Sequence, residues 1–100
     1  MTVMTVFRSR LRDDAGDRYH DTATRMLELA RGMPGFVAFE QFVAGDGERV
    51  SLVTFATLDE QRAWRDHPEH RAAQRMGRRD FYASYSVAVC EVLEEHTFGT

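Results

Sequence analysis

Apolar residues fall on both faces of the predicted strands, whereas the chain offers only two amphipathic helical regions to cover them. Residues 3–11 alternate as a strand does, and residues 36–43 are apolar at nearly every position. Residues 49–55 and 82–93 predict two further strands. Strict alternation divides the second strand into two sets, which are Phe36, Ala38 and Phe42 on one face and Val37, Phe39 and Val43 on the other. Helices packed on one side of such a sheet leave an apolar surface on its other side.

The first helical region follows the first strand directly. Residues 16–31 carry a single apolar stripe at helical spacing, and the segment 13–17 is expected to provide the N-cap and an acidic first turn. After the second strand, Asp46 and Gly47 form the centre of a predicted hairpin turn. The first three strands are therefore joined by one helix and one tight hairpin.

The second helical region is expected to divide into two short helices. Thr57 and Glu60 have the spacing of a capping box, which predicts a helix that begins there and runs to about Asp66. Pro68 suits the first turn of a second helix, so His67 is expected near the cap of that helix.

The predicted order is strand, helix, strand, strand, helix, strand in a single domain of residues 1–100, with 96–100 as a tail. This is the α+β, ferredoxin-like βαββαβ arrangement, a four-stranded antiparallel sheet with helices on one face. Because no element is left for the second face, we expect a second copy of the chain to cover it, so that two sheets close into an α/β barrel. The sequence thus predicts a homodimer.

Charge and composition argue against several classes of partner. Thirteen arginines against sixteen acidic residues give a net charge of −3, which disfavours nucleic acid and anionic membranes. No apolar stretch has the length of a signal peptide or a bilayer span. The single cysteine, Cys90, lies in an apolar run and is expected to be a buried, reduced thiol. We therefore expect a cytoplasmic protein.

Three local patterns carry a resemblance to a known family. They are Met33-Pro34-Gly35-Phe36 at the start of the second strand, Val53-Thr54-Phe55-Ala56-Thr57 ahead of Trp64, and His67-Pro68-Glu69-His70 followed by Phe81-Tyr82. Over nearly its whole length the chain resembles the antibiotic biosynthesis monooxygenase family of dimeric α/β barrels. The resemblance implies one of three roles, which are cofactor-free oxygenation of anthrone or quinol substrates, haem degradation, or no known catalysis.

Cofactor-free oxygenation requires an apolar pocket, a base, and hydrogen-bond donors placed where the substrate oxyanion lies. Histidine titrates near neutrality, which makes His70 and His67 candidate bases. Trp64 offers an indole N–H and Tyr82 a phenol. A further set of side chains is expected to bind the substrate, namely Arg71, Arg75, Tyr85 and Phe55. The preferred hypothesis is a monooxygenase that uses neither cofactor nor metal and acts on a small aromatic, quinol-like or polyketide-derived molecule.

Two alternatives remain open from the sequence. Haem-degrading members of the family share an Asn, Trp and His constellation, and Trp64 matches it, but the sequence contains no asparagine. A non-catalytic dimer that binds a small ligand would share the same fold, so the fold does not separate it from an enzyme. A metal site is not expected, because Pro68 places His67 outside the helix that carries His70.

Overall fold

The computed structural model describes residues 1–99. The elements in chain order are β1 (Val3–Leu11), α1 (Gly16–Gly32), β2 (Phe36–Val43), β3 (Arg49–Phe55), α2 (Leu58–Asp66), α3 (Pro68–Met76), a π-helical turn (Gly77–Phe81) and β4 (Tyr82–Glu91). The strands form one antiparallel sheet in the order β2-β3-β1-β4. The predicted ferredoxin-like α+β fold is therefore confirmed. No helix within residues 1–99 is long and apolar enough to cross a bilayer.

The hydrophobic core lies between the sheet and the helices, in two clusters. One cluster contains Val53, Phe55, Trp64 and Ala30, with Met33, Phe36 and Phe39 packed against it. The other contains Ala15, Tyr19 and Phe81 near the start of α1. Phe55 ends β3, whereas Arg49, which begins β3, reaches the Tyr19 ring. The two clusters therefore lie at opposite ends of the helix-covered face.

The predicted caps of α2 and α3 are present. The Thr57 hydroxyl accepts a hydrogen bond from the Glu60 N–H at 3.1 Å and donates to the Glu60 carboxylate at 3.0 Å. At the start of α3, Nδ1 of His67 accepts from the Glu69 N–H at 3.1 Å. These contacts satisfy backbone donors that have no partner within the helix, which is why the chain can start a new helix immediately after α2.

Strict alternation in β2 is wrong at its first residues. The register between β2 and β3 shifts between Phe36 and Ala38, as in a β-bulge, and Val37 is 53% exposed. The shift brings both Phe36 and Phe39 against the core. The extra residue resets the two-residue period, so side chains before and after it no longer follow one alternation.

Two expected boundaries also differ from the structure. The N-cap of α1 is Ala15, whose side chain has no polar atom for a capping bond, and the carboxylate of neighbouring Asp14 is bound by Arg12 at 3.0 Å. Strand β4 ends at Glu91, and Leu93 beyond it is 83% exposed. The predicted tail is free of helix and strand through residue 99, and its last residue, Thr100, lies outside the described residues.

The face of the sheet away from the helices is covered by no element within residues 1–99. Its central row pairs Val6 of β1 with Leu52 of β3 and Leu52 with Glu40 of β2, and Phe42 of β2, which pairs with Val50, is 55% exposed. Cys90, opposite Met4 on the edge strand β4, is exposed. The expectation of a buried thiol is therefore wrong for the single chain, because the strand that carries Cys90 has nothing packed over this face.

Candidate functional site

The break between α2 and α3 brings Trp64 and His70 together. The chain turns at His67, so the first turns of α3 fold back against the last turn of α2. The imidazole of His70 stacks on the indole of Trp64 with ring centroids 4.2 Å apart and planes 25° apart. On its other side the indole packs against Phe55, with centroids 5.4 Å apart. These three residues, Phe55, Trp64 and His70, are called the Trp64 cluster below.

A hydrogen bond determines which nitrogen of neutral His70 carries the proton. Its Nδ1 lies 2.9 Å from the main-chain oxygen of Trp64. A carbonyl oxygen only accepts, so Nδ1 must carry the proton and Nε2 must hold the lone pair in the neutral ring. Burial lowers the His70 pKa, and the bond to the Trp64 carbonyl opposes this effect only in part. His70 is therefore neutral at pH 7 with Nε2 free to accept a proton, as a general base requires.

The indole N–H of Trp64 is a buried donor with no acceptor. Trp64 is 7% exposed, and its Nε1 has no hydrogen-bond partner among the described residues. A buried donor left without a partner costs about 1–3 kcal/mol. The Trp64 cluster thus combines an unused donor with a neutral histidine, and both can serve a ligand oxygen or proton.

Sequence reasoning missed a buried polar pair beside this cluster. Gln61 is 2% exposed, and its amide donates to the Thr5 hydroxyl at 3.2 Å, which links α2 to β1. Gln61 lies three residues before Trp64, so the two side chains share one face of α2. The signal that could have found it is an amide at helical spacing from the tryptophan, at a position that faces the sheet.

Other predicted residues lie away from the Trp64 cluster's interior. Nδ1 of His67 accepts the capping bond of α3. Arg71 donates to Asp66 at 2.5 Å and to Gln74 at 3.2 Å on the protein surface. Arg75 is exposed on α3. The structure therefore distinguishes His70 from His67 as the histidine that contacts Trp64.

Tyr82 and Tyr85 belong to a separate aromatic group. The Tyr82 ring contacts Phe7, Tyr85 and Tyr19, with centroids 5.3, 5.8 and 6.1 Å away. Phe7 also contacts Tyr85 at 5.5 Å. Burial is the main cause that raises the Tyr82 pKa, so the phenol stays protonated at neutral pH. These four rings, called the tyrosine cluster below, lie near Arg49 rather than beside Trp64, so the predicted site residues divide between two places.

The residues present do not match a metal or haem site. Within residues 1–99 no group of three or more His, Cys, Asp or Glu side chains is placed to hold a metal ion. His70 uses Nδ1 for the Trp64 carbonyl and stacks its ring on the indole. Together with the lack of asparagine, this stacking does not fit the constellation of haem-degrading proteins.

Two surface depressions are open to solvent, with volumes of about 190 and 210 Å³. The first is lined by Arg12, Asp14, Arg18 and Asp80, and the second by Arg8, Glu48, Ser84 and Ser86, among others. Neither is lined by Trp64 or His70. Trp64 itself is 7% exposed, so a ligand would need local movement to reach its indole N–H.

Comparison with known proteins adds a family to this geometry. The family model described as antibiotic biosynthesis monooxygenase matches residues 2–76. The uncharacterized protein YqjZ of Bacillus subtilis (strain 168) is 34% identical over 90 residues, which cover 90% of this chain and 79% of that protein. The structure of Rv0793 from Mycobacterium tuberculosis has a TM-score of 0.84 at 18% identity, covering 97% of this chain and 100% of that chain. SnoaB, a cofactor-independent oxygenase from Streptomyces nogalater, has a TM-score of 0.78 at 14% identity, covering 94% of this chain and 95% of that chain.

Proposed function

The chain belongs to the antibiotic biosynthesis monooxygenase family, and we propose that it is a cofactor-independent monooxygenase of a small aromatic substrate. The substrate class is a quinol, an anthrone or a related polyketide-derived molecule. The observation that carries the proposal is the pairing of a neutral, tautomer-fixed His70 with the unused buried N–H of Trp64. The description of SnoaB as a cofactor-independent oxygenase supports the choice of chemistry.

The proposed reaction needs one base and one oxyanion donor. Nε2 of His70 removes the acidic proton of the substrate, and the Trp64 N–H binds the oxygen on which negative charge develops. The substrate anion gives an electron to O2, and the two radicals combine to a peroxide anion on the substrate carbon. His70 returns its proton to give the hydroperoxide, and loss of water, which takes the remaining hydrogen of the same carbon, leaves a new carbonyl. One oxygen atom ends in the product and one in water, so O2 is the oxidant and no further reductant is required.

Substrate access would involve α3. Trp64 is 7% exposed, so the indole N–H is reached only if a neighbouring element moves. Helix α3 contains no buried residue and ends in a π-helical turn, a feature common at functional sites. An ion pair between Arg25 and Glu69 at 2.5 Å and a contact between Thr22 and Met76 at 3.8 Å hold it against α1. Displacement of α3 would carry His70 with it and open the Trp64 cluster.

We further propose that the protein acts as a homodimer in which the uncovered sheet faces meet. The apolar part of the central row, Val6 and Leu52, supports this, since it has no other cover within residues 1–99. Burial of such a row would supply stability that a domain of this size lacks alone. The dimer would leave the helix-covered face of each protomer free for substrate.

Oxygen consumption tests the proposed chemistry. Purified protein, treated with a chelator and given no flavin or haem, is mixed with anthrone and with hydroquinones in an oxygen electrode. We expect uptake by the wild type and a loss of about 100-fold or more in both His70→Gln and Trp64→Phe, which is the scale seen when one base or one oxyanion donor is removed. Uptake that is equal in wild type and both variants would refute the assignment.

A hemin titration, read in the visible spectrum, distinguishes a haem-binding protein from a cofactor-free oxygenase. The proposal predicts no stoichiometric Soret shift. A shift that disappears in His70→Ala would replace cofactor-free oxygenation with a haem function. Absence of both oxygen uptake and a Soret shift would favour a non-catalytic dimer that binds a small ligand.

A further inference from the structure

Arg49 is a cation on the helix-covered face with no acceptor. It begins β3, and the side chains on the same face of that strand are Ser51, Val53 and Phe55, of which the last two belong to the core. The side chain is half-buried, and its Nε is fully buried without a hydrogen-bond partner among the described residues. The guanidinium lies over the Tyr19 ring, 5.5 Å from the centroid.

The surroundings of Arg49 differ from those of the surface arginines. Surface arginines here either bind a carboxylate, as Arg12 binds Asp14 at 3.0 Å and Arg10 binds Asp46 at 2.8 Å, or are exposed to water, as Arg31 and Arg75 are. No carboxylate within residues 1–99 forms an ion pair with Arg49, and its cross-strand neighbours are Ser9 and Val43. A guanidinium taken partly out of water without a counter-charge is costly, so an anion placed here would be bound strongly.

The neighbours of Arg49 suit an aromatic ring. In the tyrosine cluster, the Tyr82 ring contacts Phe7 and Tyr19, with centroids 5.3 and 6.1 Å away. Tyr85 is 42% exposed and Val87, next to it on the same face of β4, is 54% exposed. Tyr85 can therefore be reached from solvent without displacing the core, whereas Tyr19, at 5% exposure, lies beneath it.

We propose that Arg49 and the tyrosine cluster form a second binding site, which takes an aromatic carboxylate. The carboxylate lies against the guanidinium, whose planar donors match two carboxylate oxygens, and the aromatic ring packs against Tyr85, the exposed member of the tyrosine cluster. Val87 and Tyr85 form the entrance. This site is at the opposite end of the helix-covered face from the Trp64 cluster, and it binds its ligand whether or not the oxygenase chemistry occurs.

Calorimetric titration with 2-naphthoate tests the site, with 2-naphthamide as the uncharged probe and cyclohexanecarboxylate as the non-aromatic one. We expect the wild type to bind 2-naphthoate roughly 10- to 100-fold more tightly than 2-naphthamide, the range for hydrogen bonds to a charged group. Cyclohexanecarboxylate should bind more weakly than 2-naphthoate. Equal affinity for the naphthoate and the amide, or no binding of either, would overturn the proposal without any variant.

The variant Arg49→Met then tests whether Arg49 supplies the positive charge that binds the carboxylate. We expect it to lower the affinity for 2-naphthoate to that for 2-naphthamide, while Arg31→Met, an exposed arginine in the last turn of α1, keeps the wild-type affinity. Should Arg49→Met not fold, as judged by thermal unfolding, Tyr85→Ala at the exposed entrance is used, and it should weaken both naphthalene probes. Wild-type affinity in folded Arg49→Met, or in Tyr85→Ala when that is the variant used, would refute the site. Neither titration depends on oxygen uptake, so the outcome is independent of the proposed reaction.

Discussion

His70 and Trp64 contact each other twice, through a hydrogen bond from Nδ1 to the main-chain oxygen at 2.9 Å and through rings stacked at 4.2 Å. The tryptophan thereby sets both the tautomer and the orientation of the histidine. The same tryptophan has no acceptor for its own N–H. A residue that organises its neighbour while leaving its own polar group unused is better explained by a ligand than by packing alone.

The half-buried side chain of His70 predicts a pH dependence of stability. Burial lowers the His70 pKa in the folded protein below the ordinary value of 6.5, so the unfolded chain binds more protons in that range. The stability contributed by neutral His70 is therefore complete above about pH 6.5 and is lost as the pH falls through the folded pKa. Thermal unfolding between pH 8 and pH 5, read by circular dichroism in roughly half-unit steps, should show a steeper acid loss for the wild type than for His70→Gln.

The matched control for this experiment is His96→Gln, a substitution in the exposed tail. It should follow the wild-type curve across the same range. Parallel curves for wild type and His70→Gln would contradict a buried neutral histidine, and with it the assignment of His70 as base.

Replacement of Trp64 by phenylalanine should separate stability from activity. Trp64→Phe removes a buried donor whose lack of a partner costs about 1–3 kcal/mol, but it also leaves a small void. The two effects oppose each other, so we expect the free energy of unfolding to change by less than about 1 kcal/mol. Trp64→Ala should cost about 3–5 kcal/mol. Oxygen uptake should fall in both variants.

Chemical denaturation and the oxygen electrode provide the two readouts. A loss of several kcal/mol in Trp64→Phe would mean that the N–H contributes to folding, and the interpretation of an unused donor would fail. Full oxygen uptake in a folded Trp64→Phe would instead remove the indole from the reaction.

The fold was predictable because its signals are local and repeated. The capping box at Thr57, Pro68 at the start of α3 and the alternation of β1 each act within a few residues, and all three features are present. Where prediction failed, a side-chain contact or a strand pairing that the sequence pattern does not display decided the outcome. Arg12 binds the Asp14 carboxylate and leaves Ala15 as the N-cap, and the bulge at Val37 depends on pairing with β3.

The candidate site was predictable only in part. Residue chemistry identified Trp64 and His70, because tryptophan and histidine are few in this sequence. It did not reveal that Tyr82 lies in a different cluster, because that depends on where the register places β4 beside Phe7. Arg49 was missed because thirteen arginines look alike in sequence, and only the sheet shows which of them faces the helices.

Gly35 should tolerate no side chain. Its φ is +79°, in the left-handed region, and an added Cβ would collide with the Glu60 carboxyl group that completes the capping box. We expect Gly35→Ala to destabilise the protein by at least about 1–2 kcal/mol, the cost of that backbone conformation alone.

Gly32→Ala is the control, since nothing lies within 4 Å of its added Cβ, and it should be neutral or stabilising by up to about 1 kcal/mol. Equal unfolding midpoints in denaturant would contradict the packing of Gly35 against α2.

The uncovered face of the sheet predicts how the proposed dimer can be broken. Leu52 pairs with Val6 on one side and with Glu40 on the other, so Leu52→Glu would add a second carboxylate beside Glu40 where the two copies are proposed to meet. We expect light scattering after gel filtration to give a dimer for the wild type and a monomer for Leu52→Glu. The control, Leu93→Glu, changes a residue that is 83% exposed and should remain dimeric.

Cys90 provides a second readout, because it is exposed in the single chain and lies on the same face, opposite Met4. A maleimide should therefore label Cys90 slowly in the wild type and quickly in Leu52→Glu. A wild type that is monomeric, with fast labelling, would show that this face meets no second copy.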